Sequence, residues 1–182
     1  IILIIFIHNI QDNILKNISK AVKSPIPEGT KAIDSSVTKI IPALRAIVST
    51  GGMKILKTKN SELISYFASD AVTFSKVSSP FTPDTIVYCK SKYIYLDTEG
   101  SPENTVSQFR KEYERYVSRN GYQPKVVIIK GIGVVAIGDN AVQAETIHDV
   151  FESQMKIAWL AESFGGQHFM DSKSINYIDN WE

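Results

Sequence analysis

Two glycines in the segment 126–138 have the spacing of a nucleotide-binding motif. Gly131, Gly133 and Ala136 fit the pattern G-x-G-x-x-G/A, and they follow the apolar run Val126–Ile129. In dinucleotide-binding proteins such glycines let the backbone approach a pyrophosphate, which lies at the N-terminus of the next helix. The motif therefore predicts a dinucleotide-binding oxidoreductase domain as one interpretation of this segment.

The residues after the second glycine favour a different structure. The segment Val134–Ile137 is apolar and mostly β-branched, so it favours a strand where the motif requires a helix. A helix is expected only after Gly138, with Asp139 or Asn140 as its N-cap. The acidic residue that would bind a ribose should end a second strand, yet Asp149 falls inside this helical pattern. The simpler interpretation is a buried hairpin whose glycines permit a tight turn.

The turn Lys130–Gly133 is itself a candidate binding site. Lys130 ends a predicted buried strand beside Gly131, so its ammonium either extends to solvent or lies at the mouth of a cleft. In the second case Lys130, Gly131 and Gly133 form a substrate-binding or anion-binding site, because the lysine ammonium is a compact positive charge.

Residues that ligate metals or act as nucleophiles are few. The histidines His8, His148 and His168 do not form a His-x-His or His-x-x-x-His pair, which would direct two imidazoles at one ion. His8 is the metal-ligand candidate, whereas His148 is expected within a helix and His168 in a surface loop. The single cysteine, Cys89, is expected to be a packing residue in a strand rather than a nucleophile.

Helical and strand patterns alternate along the chain and must position these residues. Hydrophobic residues have helical spacing in 35–49, 61–69, 103–119 and after Gly138. Strands are predicted at 54–59 and on both sides of the glycine turn, and a strand or hairpin is predicted within 86–96. This alternation predicts an α/β fold with three layers, α/β/α, in which helices cover both faces of a central sheet that is mostly antiparallel or mixed.

Two segments together resemble one protein family. The order strand, glycine turn, VVAIG, D-N-A-x-x-A and long helix resembles the C-terminal half of the class II aldolase/adducin fold. The sequence SPFTPDTIVYCK at 79–90 resembles the G-P-x-T-P-D-H-V-I-x-x-K segment of bacterial proteins that join a rhamnulose-1-phosphate aldolase to a short-chain dehydrogenase. The segments Pro42–Arg45 and 176–182 are similar to the same branch, so the resemblance covers about residues 40–182.

The resemblance implies that the complete protein cleaves a phosphorylated ketose by a retro-aldol reaction, with a divalent metal ion, expected to be zinc, polarising the enediolate. In active members the glycine turn carries a His-Gly pair whose histidine is one of three metal ligands. This chain has Lys130-Gly131 there, and Thr85 where the branch has histidine after Thr-Pro-Asp. The segment 80–182 is therefore expected to be a non-catalytic second copy that supports folding or oligomerisation, with no metal ion of its own assured.

The first residues suggest a damaged copy of the same unit. The run Ile1–Ile7 is continuously apolar, which is typical of a buried central strand. The start of the chain is similar to the later unit if about four residues are absent between Ile4 and Ile5. In that alignment IILI matches VVII, IFIH matches VVAIG, and NIQDNILKNISKAV matches DNAVQAETIHDVFESQ. We therefore predict that residues 1–34 are the remnant of a first strand–turn–strand–helix unit of an aldolase domain. Residues 35–182 would then be a second, degenerate aldolase-like unit with a C-terminal tail.

Composition limits the partners. The 182 residues are 43% hydrophobic, enough for one globular core, and the formal net charge of +1 gives no reason to expect nucleic acid or an acidic membrane surface. An apolar run of seven residues is far short of the roughly 20 that span a membrane. A single cysteine is compatible with the reducing cytoplasm. The expected partners are a sugar-phosphate substrate and further copies of the chain; the alternative function is a structural or oligomerisation module.

Overall fold

The computed structural model describes residues 2–97 and 101–180, and for residues 2–11 it describes the backbone alone. One mixed sheet carries four strands in the order β1-β4-β3-β2, and helices lie on both of its faces. The strands are β1 (Ile55–Lys59), β2 (Ile94–Leu96), β3 (Val126–Ile129) and β4 (Gly133–Gly138). The helices are α1 (Ile2–Ala21), α2 (Val37–Val48), α3 (Glu62–Phe67), α4 (Ala71–Ser75), α5 (Pro83–Cys89), α6 (Pro102–Asn120), α7 (Ala141–Ala161) and α8 (Ser172–Asp179).

The predicted hairpin around the glycine turn forms the centre of the sheet. β3 and β4 pair antiparallel with Ile129 opposite Gly133, β1 pairs antiparallel with β4, and β2 pairs parallel with β3. Every residue of β3 and β4 is buried, which explains why their sequences are continuously apolar instead of alternating. The predicted edge strand at 54–59 is confirmed as β1, and the predicted α/β fold with a mixed sheet is confirmed as a whole.

Alternate residues of the hairpin face two separate cores, because successive side chains of a strand point to opposite sides. On one face α2 and α6 pack against the sheet; on the other, α3, α5 and α7 pack against it. The first face receives Val127, Ile129, Val135 and Ile137, and the second receives Val126, Ile128, Val134 and Ala136. This arrangement is the predicted three-layer α/β/α order.

The caps of the helices follow the predicted signals. The Asn140 side chain accepts a hydrogen bond from the Gln143 N–H at 2.9 Å, and Gln143 Oε1 accepts one from the Asp139 N–H at 2.6 Å. Ser101 caps α6 in the same way, followed by proline in the first turn, and Gly121 ends that helix with a φ of 75°. The start of α7 is therefore fixed directly after β4, at the end of the hairpin opposite the glycine turn.

The strand predicted for the first residues is wrong. Residues 2–21 form one continuous helix, so the described part of 1–34 contains no strand–turn–strand–helix unit. A strand leaves its N–H and C=O groups unpaired unless a neighbouring strand lies beside it, whereas a helix pairs them within the segment itself. Within residues 2–97 and 101–180 no helix has both the length and the apolar composition needed to cross a membrane. The boundary between residues 34 and 35 stays a prediction.

The strand or hairpin predicted for 86–96 is also wrong over its first half. Thr82 caps α5 by accepting the Thr85 N–H, and Pro83 occupies the first turn, so a helix-start signal overrides the β-branched residues that follow. Cys89 therefore ends a helix rather than lying in a strand. It is fully buried, and burial raises the pKa of its thiol to about 12, which confirms its expected role as a packing residue.

Candidate functional site

The glycine turn between β3 and β4 is held by packing of the backbone. Gly131 has a φ of 76° and Gly133 a φ of 123°, values that favour glycine. A Cβ atom on Gly133 would lie 2.3 Å from the carbonyl oxygen of Lys59 on β1. The residues after Gly133 form β4, so the helix that a dinucleotide motif requires is absent at this position. The close contact with β1 accounts for this glycine without a bound nucleotide.

The structure places Lys130 at the turn beside both glycines, as the sequence requires. Its Nζ donates to Asp97 Oδ1 at 2.8 Å, and about a third of its side chain is exposed. An anion at this turn would compete with the Asp97 carboxylate for the ammonium. The role of Lys130, Gly131 and Gly133 in substrate or anion binding stays a prediction.

The histidines lie in three separate environments. His148 is buried within α7, and its Nε2–H donates to the carbonyl oxygen of Lys57 on β1 at 2.8 Å. Burial lowers the pKa of His148 to about 4, so the ring is neutral near pH 7. His168 lies exposed in the segment before α8. The backbone of His8 lies in α1, and its side chain falls outside the described residues.

A metal site is not formed by the residues that the structure describes. Among them, no three His, Cys, Asp or Glu side chains lie close enough together to hold an ion. At the turn where the resembling enzymes place a histidine, this chain has Lys130, whose ammonium has no lone pair for a metal ion. The donor set at the turn therefore does not fit the divalent metal that the resemblance implies.

A second candidate site lies at the other end of the hairpin, where β4 ends and α7 begins. A cavity of about 260 Å³ is lined there by three lysines, Lys54, Lys90 and Lys125, together with Tyr122 and Asp139. The three lysines come from the residue before β1, the residue after α5 and the residue before β3. Because they are far apart in sequence and share no spacing, no sequence pattern predicts that they meet. We call this group of residues the lysine cavity.

Two of the three lysines of this cavity have a defined contact with another lining residue. Lys54 Nζ donates to Asp139 Oδ1, and this hydrogen bond holds the pKa of the Asp139 carboxyl below its usual range, with a smaller contribution from the charge of Lys125. Lys90 Nζ lies 5.3 Å from the centroid of the Tyr122 ring, a cation–π distance.

The backbone at Lys90 is strained. Its φ of 64° and ψ of 172° make it the one non-glycine residue with a positive φ in the described part of the chain. This region of φ and ψ is occupied almost only by glycine, and such strain persists where the surrounding structure or a function requires it. The residue follows the last turn of α5, a position where glycine is the usual choice.

Comparison with known proteins identifies the family. The model of the family described as Aldolase class II, second domain, matches residues 35–182. Among solved structures, YgbL from Klebsiella pneumoniae, a candidate aldolase/epimerase/decarboxylase, superimposes with a TM-score of 0.57 at 10% sequence identity, covering 79% of this chain and 65% of that protein. YgbL from Escherichia coli gives a TM-score of 0.47 at 11% identity over 69% of this chain and 56% of that one. No curated protein matches the chain significantly.

The solved structures and the family match carry different weight. At 10% identity the Klebsiella structure supports the fold alone, and the chain spans less than two thirds of the length of that protein. The family match extends over well more than half of the chain and includes the hairpin, the lysine cavity and α8. The chain therefore belongs to the family of class II aldolase second domains.

Proposed function

We propose that this chain is a non-catalytic part of a class II aldolase-like protein. In this proposal the complete protein works in the cytoplasm and cleaves a phosphorylated sugar by a metal-dependent aldol reaction, and this chain supports its folding or assembly. The observation that carries the proposal is the composition of the turn between β3 and β4, which has Lys130 in place of a metal-binding histidine.

The chemistry of the reaction explains why that residue matters. A class II aldolase needs a divalent ion to polarise the enediolate as it forms. Catalytic zinc is commonly held by three protein ligands that leave one position open. Among the side chains that the structure describes, in 12–97 and 101–180, no such set is present. The imidazole of His148 is buried and hydrogen-bonded to the carbonyl oxygen of Lys57 on β1. The ligands of the complete protein are therefore expected outside these described side chains.

Metal analysis of the protein produced from the intact gene tests the proposal. We expect stoichiometric zinc, loss of ketose-phosphate cleavage with a chelator, and unchanged zinc content when both His148 and His168 are replaced by glutamine. The double variant must first show a native circular dichroism spectrum, because His148 is buried. Loss of zinc in the folded double variant would place a ligand in this chain and contradict its non-catalytic role; an intact protein with neither metal nor cleavage activity would contradict the aldolase assignment.

A second candidate function is assembly of identical chains, and an apolar groove at the edge of the sheet supports it. β1 is an edge strand, and the groove of about 640 Å³ beside it is lined by Ile41, Pro42, Ile55 and Leu56. Met53 extends into the same groove with 74% of its surface exposed. Edge strands and exposed apolar patches are common sites of association between chains.

Light scattering distinguishes this second function. We expect a defined oligomer that dissociates when Met53 is replaced by glutamate. Val72 on α4 is equally exposed, at 74%, and does not line this groove, so Val72→Glu is a matched control that should leave the oligomer intact. A monomeric wild-type chain at micromolar concentration, or equal dissociation of both variants, would contradict assembly through the groove.

A further inference from the structure

We propose that α1 is an interface helix and that its apolar face binds an apolar cleft in another domain of the complete protein. The inference rests on the proposed function, in which this chain is one part of a larger class II aldolase-like protein. It concerns a segment outside the family match, which covers 35–182, and no described side chain of α1 belongs to either hydrophobic core.

The second half of α1 is uncovered in the described part of the chain. Every residue from 12 to 21 is exposed, and these include Ile14, Leu15 and Ile18, with 52%, 60% and 39% of their surface exposed. Because residues three and four apart are neighbours on a helix, the three side chains form one apolar patch. A helix of this length is only marginally stable in water without tertiary packing. The helix α1 is therefore expected to pack against a partner.

The C-terminal end of α1 is fixed to the rest of the domain. The N–H of Lys23 donates to Ser163 Oγ at 3.0 Å, and Trp159 Nε1–H donates to the carbonyl oxygens of Ser24 and Pro25 at 3.2 and 3.0 Å. Trp159 lies in the last turn of α7, and Ser163 lies in the short turn that follows it. The helix therefore leaves the domain at a defined point, and a partner domain would meet its apolar patch in a fixed position.

The distribution of charge on α1 favours an apolar protein surface as the partner. Lys16 is two residues from both Ile14 and Ile18, about 200° around the helix axis, so it lies on the side opposite the patch. Lys20 is four residues from Lys16 and lies on that same side. If the patch bound an acidic lipid surface, these lysines would be directed away from the headgroups. If it binds a protein domain, both ammonium groups stay in water.

The first half of α1 favours another domain over a second copy of this helix. Residues 2–7 read ILIIFI and extend over about one and a half helical turns, so apolar positions occur on every side of the helix there. A helix that is apolar on all sides is buried. A single partner helix would cover one side only, whereas a cleft in a domain can cover them all. The match to a family of second domains begins after α1, at residue 35, so we assign the cleft to the first domain.

Alkylation of introduced cysteines tests this interface in the protein produced from the intact gene. The variants are Ile14→Cys and Lys16→Cys, on opposite sides of α1, and the single native cysteine of this chain, Cys89, is fully buried. In lipid-free buffer, the thiol in Ile14→Cys should react at least about tenfold more slowly than the thiol in Lys16→Cys, with the modified peptides identified by mass spectrometry. Ile18→Cys replaces Ile14→Cys if the latter lacks a native circular dichroism spectrum. Equal reaction rates on the two sides of the helix would overturn the proposal.

Two further measurements identify what covers the helix. Protection that is lost on dilution, as light scattering shows an oligomer dissociating, would identify a second copy of the chain. Protection that appears only with vesicles of phosphatidylcholine and phosphatidylserine would identify a lipid surface. Either result would overturn the proposal, whereas protection that is independent of concentration and of lipid supports it.

The alkylation result can be separated from the aldolase assignment, because it requires neither zinc nor cleavage activity. Protection in a protein without metal would count against the aldolase assignment alone. Equal reaction rates in a protein that contains zinc would count against the interface alone.

Discussion

The strain at Lys90 predicts that replacement by glycine and by alanine will have different effects on stability. Both changes remove the ammonium and its contact with Tyr122, so these losses cancel when the two variants are compared. Only glycine relieves the strained φ and ψ, which cost about 1–3 kcal/mol. Glycine also gives the unfolded chain more conformational freedom, which offsets about 0.4–1 kcal/mol of that gain. The Lys90→Gly variant should therefore unfold with a free energy about 1 kcal/mol above that of Lys90→Ala.

Urea denaturation followed by circular dichroism measures this difference directly, and thermal denaturation provides a second estimate. For a domain of this size a difference of about 1 kcal/mol corresponds to about 2–4 °C in Tm. If Lys90→Ala is as stable as Lys90→Gly or more stable, the backbone at this residue is not strained.

Three further predictions test the hairpin and the core. Gly133→Ala should cost about 3–5 kcal/mol, because the added Cβ would lie 2.3 Å from the carbonyl oxygen of Lys59 at a φ unfavourable for alanine. The free energy of unfolding of the wild-type protein should fall by up to about 3 kcal/mol between pH 6.5 and 4. The reason is that His148 has a pKa of about 4 in the folded protein, so the unfolded chain takes up the proton at a higher pH. In urea titrations at each pH, His148→Gln should reduce this dependence of the unfolding free energy on pH. Phe151→Ala should cost about 3–5 kcal/mol by opening a cavity in a fully buried position of α7, whereas Val142→Ala, at a position 77% exposed on the same helix, should change stability by less than about 0.5 kcal/mol.

Matched controls sharpen the first two of these tests. Gly131→Ala places a Cβ in open space at a φ of 76°, so it should cost about 1–2 kcal/mol, clearly less than Gly133→Ala. Equal costs for the two glycines would show that the contact with β1 is unimportant. His168→Gln changes an exposed histidine and should leave the pH slope unchanged. A steep slope that persists in His148→Gln would assign the acid sensitivity to other groups.

Much of the fold could be predicted because local signals agreed with the final structure. The helices predicted at 35–49, 61–69 and 103–119 and the strands on both sides of the glycine turn are confirmed, since each combines a hydrophobic period with a recognisable start or stop. The two errors came from apolar, β-branched runs at 1–7 and 86–96. In such runs the periodicity of hydrophobic residues does not distinguish a strand from a helix. A neighbouring strand or a capping residue then decides which of the two forms.

The sequence alone determined the family resemblance, the position of the glycine turn and the lack of a histidine within it, because these depend on residue types in one continuous segment. It also placed Asn140 and Gln143 at the start of α7. Only the tertiary structure decided which residues share a site. Lys54, Lys90 and Lys125 meet because β1 and β3 begin, and α5 ends, at the same side of the sheet, and no local pattern predicts that they are neighbours.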